Sequence, residues 1–179
     1  KGVAYSVENL DMAALDVIGT LAFSERSPIY KKLVEEERIV RELSAGGYNT
    51  VDPGLWSVDA VLVKKEDLTK VKNEIVSVLE KLKTEPVDSL TLAQTKSHLK
   101  YGYAMTLDNP DAIANSLAWF TWLTGDPADV NPGYANYDKV TPEIIMEVAN
   151  KYLVDDKLTV ATISPDEQVE VIEELNFDR

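Results

Sequence analysis

The sequence predicts an α+β fold: an antiparallel β-sheet with a block of helices packed on one face. Three observations lead there. Strand-like segments are few and flank a long helical region. Between residues 67 and 153 the apolar residues recur mainly at helical spacing. Two strand-like runs, 38–45 and 56–63, are joined by a loop of modest length, as an antiparallel pair requires.

Each element has its own signal. Val3 to Val7 alternate and are rich in strand formers, which predicts a strand. Asn9 can cap the helix that follows, with Asp11 at the positive end of its dipole. Leu10, Ala14, Val17, Ile18 and Leu21 then fall on one helical face. Ser27 and Pro28 pair a capping hydroxyl with a ring suited to the first helical position. That short helix runs to the acidic residues Glu35, Glu36 and Glu37. Residues 38–45 read as a strand, and Gly46, Gly47, Asp52, Pro53 and Gly54 punctuate the loop after it. In the next strand Trp56, Val58, Ala60 and Leu62 share the buried face. From Asp67 to Lys83, Leu68, Val71, Ile75, Val78, Leu79 and Leu82 form one apolar stripe, expected to face the sheet. Helices follow over 88–106 and 111–123. Pro and Gly mark 126–140 as loop, and Thr141 with Pro142 opens a last helix. Leu158 to Ile163 predict a closing strand, ended by Pro165.

The chain has 179 residues, enough for one domain with a real core. Apolar residues make up 45% and charged residues 27%, the balance of a globular protein. No run of 18 apolar residues occurs that could span a membrane as a helix. No signal peptide is visible, and the chain opens as a strand already under way, which predicts a piece of a longer protein. The net charge of −13 argues against nucleic acid, whose phosphates need clustered Lys and Arg. An acidic surface favours solubility and attracts basic peptides. With no cysteine, disulfides, thiolate catalysis and Cys-ligated zinc are excluded. The compartment stays open.

The search for chemistry returns no catalytic residue and no metal ligand. The single histidine, His98, cannot build a zincin site, which needs two imidazoles on one metal and a carboxylate to activate its water. No Gly-x-Ser-x-Gly elbow occurs. Gly46 and Gly47 lack the further glycines and the lysine of a phosphate loop. With 31 Asp and Glu, paired carboxylates arise by chance. Trp119, Phe120 and Trp122 read as core.

Five segments taken in order are more specific. Asp11 to Ile18 is similar to a helix of the form Asp-x-x-Ala-Leu-x-Val, and Ser27 to Glu36 to one of the form Ser-x-Leu-Tyr-x-x-Leu-Val-x-Glu. Asp52 to Ala60 resembles the next sheet strand, Val87 to Lys100 a long helix, and Thr141 to Leu153 with Leu158 to Pro165 a closing helix and strand. Together they resemble a domain of the insulinase-like (pitrilysin-type) zinc metallopeptidases. Members are built from homologous α+β domains that enclose unfolded peptides; one domain carries an inverted His-x-x-Glu-His zinc site. This chain lacks that motif, so the resemblance implies a non-catalytic domain, with zinc supplied by another domain and with homologous domains and peptide substrates as partners. For bacterial members it implies a periplasmic or other extracytoplasmic setting. It predicts one domain over 1–165, lacking its first edge strand, and an acidic tail over 166–179. Family members that hold substrate place an Arg after the helix Leu and a Tyr seven residues on. Those positions are Val34 and Arg41 here, and both depart from the pattern. Val34, Arg41 and the strand residue Trp56 are the candidate interface or substrate-facing residues. The alternative is a structural or assembly module with no proteolytic role.

Overall fold

A computed structural model describes residues 3–164. At its centre is helix α1, Asp11–Phe23, of which nine residues are buried, from Met12 round to Phe23. A helix apolar nearly all round belongs inside the fold. α1 packs on strand β1 (Val40–Gly47) and meets helices α4 (Ser89–Thr106), α6 (Val130–Lys139) and α7 (Pro142–Tyr152). Ser27 caps α2, Pro28–Tyr30, accepting from the Tyr30 N–H at 3.2 Å. A π-helical stretch, Lys31–Glu36, continues it.

Among the described residues the sheet has two antiparallel strands, β1 (Val40–Gly47) and β2 (Trp56–Leu62). The inward residues of β2 are the alternate set read from the sequence. β1 starts later than predicted and absorbs Gly46 and Gly47, which pair with Ser57 and Trp56 instead of punctuating the loop.

The stripe on α3 (Leu68–Thr84) is correctly placed but faces α7 (Pro142–Tyr152) more than the sheet. Val71 and Leu82 are buried there. The cap of α7 is the predicted one, Thr141 accepting from Ile144 N–H at 3.3 Å, while α4 (Ser89–Thr106) starts one residue later than expected because Asp88 is its cap, accepting from Thr91 N–H at 2.8 Å. α5 (Pro110–Thr124) ends on Gly125 at φ +91°, a left-handed cap that favours glycine.

Four further expectations fail. Residues 126–140 are not a loop: Pro127–Asp129 form a 3₁₀ turn and Val130–Lys139 form helix α6. Pro132 lies in the first turn, where no intrahelical N–H is needed, and tertiary contacts outweigh the weak propensity. Asn136 donates to Val7 O at 3.0 Å, and Tyr137 packs against the core. Of the aromatic trio, Phe120 is buried, but Trp119 and Trp122 are exposed and lie against each other. Residues 3–7 are tied beside the loop before β2 by one bridge, Val3 to Gly54, and by Tyr5 N–H to Thr50 O at 2.9 Å, and the chain bends at Val7 and Glu8 without forming a strand. Leu158 to Ile163 form no strand: the backbone leaves Leu158 extended, no described strand pairs with it, and Ile163 is fully exposed. The predicted tail 166–179 and Pro165 lie outside the described residues.

Candidate functional site

A groove of about 360 Å³ lies between the C-terminal half of α1 and β1. Gly19, Thr20 and Phe23 supply one wall, Arg41 to Ala45 the other, and Glu25 and Tyr30 close the end. Its size is in the range of peptide and small-molecule sites. One edge of β1 pairs with β2; among the described residues nothing pairs with the other.

Arg41 owes its position to an irregularity. Val40 pairs with Leu62 and Glu42 with Val61, so Arg41 is an extra residue in β1. Its effect is visible in the burial: Val40 and Leu43 are both buried although three residues apart, a spacing that a plain strand sends to opposite faces. Such a bulge re-aims a side chain. Here it leaves Arg41 exposed on the groove wall, facing a site that also holds Glu25 and Glu42.

The other two sequence candidates fare differently. Trp56 lies behind the groove: its ring meets Phe23 edge-on with centroids 6.3 Å apart, and its Nε1 is buried with no hydrogen-bond partner. Val34 does not line the groove; it is half-buried and packs against the core. The structure thus joins Arg41 to Phe23 and, through Phe23, to Trp56, and leaves Val34 apart.

His98 is exposed on α4. Among the described residues no three of His, Cys, Asp and Glu come together as a metal site would need. No helix there is long and apolar enough to cross a membrane.

A second site was not foreseen. Asp16 interrupts the apolar run of α1, and Tyr137 of α6 donates its hydroxyl to Asp16 Oδ2 at 2.7 Å across 121 residues of sequence. Burial pushes the Asp16 carboxyl up to about 6, against the pull of that hydrogen bond. The same surroundings raise the neighbouring phenols, Tyr5 to about 12 by burial and by Asp129 and Asp16. The folded state therefore holds a proton on Asp16 more tightly than the unfolded chain does. The stability from this group is complete below about pH 4 and declines as the pH rises through 6. The signal available in the sequence was a lone carboxylate flanked by Leu15 and Val17.

Comparison with known proteins places this geometry. The family described as Peptidase M16 inactive domain matches residues 3–99, more than half of the chain. No curated protein matches in sequence. Among solved structures, the inactive peptidase domain of a proposed zinc protease from Bordetella parapertussis is similar at TM-score 0.73 and 20% identity. The similarity covers 90% of each chain. A proposed zinc protease from Bordetella pertussis matches at TM-score 0.71 and 20% identity, over 86% of this chain and 85% of that one. A protease from Helicobacter pylori matches at TM-score 0.73 and 21% identity, over 86% of this chain but 37% of its own, so this chain spans well under half of that protein. At these identities the structures speak for the fold, which is the α+β fold expected.

Proposed function

This chain belongs to the family of peptidase M16 inactive domains, and on that premise we propose that it helps enclose and bind unfolded peptides for a zinc metalloendopeptidase whose zinc sits in another domain or subunit. The observation that carries this reading is the groove along the free edge of β1. An unpaired strand edge offers main-chain donors and acceptors in the register an extended peptide needs, and the groove beside it takes alternate side chains. Arg41, re-aimed by the bulge, is placed to pair with a carboxylate of peptide or of a neighbouring domain. Trp56 buttresses the groove from behind through Phe23, and Val34 holds the preceding turn against the core. On this reading the domain runs over 1–165, with 166–179 as an acidic tail.

The test is peptide binding to the chain, read by fluorescence anisotropy with labelled unfolded peptides and by hydrogen exchange over 40–47. Arg41→Glu should weaken binding by about tenfold, the loss of one charge-assisted hydrogen bond. It should leave Tm within about 2 °C, because Arg41 is exposed. Bound peptide should protect β1 amides in the wild type. Peptide that leaves exchange over 40–47 unchanged and binds Arg41→Glu equally well would favour the alternative, an assembly module with no proteolytic role.

A further inference from the structure

Away from the groove, a small cavity lies between α1, α6, Phe120 of α5 and the segment around Tyr5. Its volume is about 20 Å³, room for one occupant the size of a water molecule. Three features of its wall are electronegative. Asp16 lines it with a carboxylate that accepts a single hydrogen bond, from Tyr137, and none of the ion pairs among the described residues involves it. Asn49 lines it too, and its Oδ1 is buried with no hydrogen-bond partner. The rings of Tyr5, Phe120, Tyr134 and Tyr137 complete the enclosure, Tyr5 edge-on to Phe120 with centroids 6.0 Å apart and Tyr134 against Tyr137 at 5.9 Å. Aromatic faces are negative in their quadrupole and attract cations.

We propose that this cavity is a binding site for a small monovalent cation, of the size of ammonium or potassium, held by the Asp16 carboxylate, Asn49 Oδ1 and the surrounding aromatic rings. A water molecule could donate one hydrogen to the carboxylate and one to Asn49 Oδ1, yet it would leave the carboxylate charge uncompensated. Burying a charge is costly unless it is paired. A cation satisfies both acceptors and offsets the charge. Burial outweighs the Tyr137 hydrogen bond and raises the Asp16 carboxyl, as it does where a carboxylate has no counter-charge beside it. By bridging α1 to Asn49, which precedes β2, the ion would tie the central helix to the sheet side of the domain. The inference does not depend on the peptide-enclosing role.

The experiment is a thermal melt of the chain at pH 7.5 in choline chloride, with choline replaced stepwise by ammonium or potassium chloride at fixed ionic strength. Tm should rise saturably, by ~3–6 °C at about ten times the dissociation constant. Methylammonium, too large for the cavity, should leave Tm at its choline value. Asp16→Asn and Asn49→Leu should each abolish the dependence, with folding checked by far-UV circular dichroism. Should Asp16→Asn not fold, Asn49→Leu and the wild-type size series still decide. Identical Tm in all four salts means water, not a cation, fills the cavity and overturns the proposal. So does a cation response that persists in the variants.

Discussion

Leu15→Ala is expected to destabilise the chain by about 4 kcal/mol, in the upper part of the range for deleting a buried leucine. Leu15 has no exposed surface and sits on α1, which touches the sheet and four other helices, α2, α4, α6 and α7. A site enclosed from so many sides cannot collapse around the lost atoms, so both the transfer cost and the cavity cost are felt. The loss corresponds to a Tm lower by ~8–16 °C for a chain of this size. Trp122→Ala supplies the contrast. Trp122 is bulkier, but 58% of its surface is exposed, and its main contact is the neighbouring Trp119 ring. Its removal should cost about 1 kcal/mol or less. Equal losses from the two variants would put the core in the wrong place.

Gly19→Val should cost about 3 kcal/mol or more, with Tm down by ~6–12 °C. The reason is the close approach of α1 to β1. A Cβ at Gly19 would lie 2.8 Å from the Ala45 carbonyl oxygen and 3.3 Å from its carbon, both backbone atoms of a paired strand. Neither can turn aside as a side chain would, so helix and strand must separate. Gly102→Ala is the control: a Cβ there meets nothing within 4 Å. Replacing glycine inside a helix should stabilise it by about 0.5–1 kcal/mol. Because Gly19 also lines the groove, Gly19→Val should impair peptide binding even at temperatures where it is folded.

What the sequence made legible was local. The α3 stripe and the caps at Ser27 and Thr141 depend on residues within one or two turns of each other, and each lies where the pattern put it. The β1–β2 hairpin was legible because the inward residues of β2 alternate so regularly. Features set by long-range contacts were not. α6 is written in poor helix formers and owes its place to Asn136, which reaches Val7, and to Tyr137, which reaches Asp16. Leu158 to Ile163 have strand composition, but strand structure needs a partner, and the described residues supply none. Trp119 and Trp122 show the limit of reading burial from residue type, since one helix turns Phe120 inward and both tryptophans out. At the candidate site, the interest of Arg41 came from its position after Leu33. The bulge that aims it into the groove is a register irregularity, invisible until the pairing with β2 is known.

On the proposed reading the chain shapes a peptide site and performs no chemistry. The direct measurement is to strip the purified chain with chelator, return zinc in excess, remove the unbound metal, and then assay both bound zinc and the fate of unfolded peptides by mass spectrometry. The chain carries a single histidine, His98, exposed on α4, and no cysteine. Since a catalytic zinc takes three protein ligands as a rule, zinc should remain well below one per chain, and every peptide should be recovered intact. Stoichiometric zinc together with peptide cleavage, both lost in His98→Ala, would contradict the account.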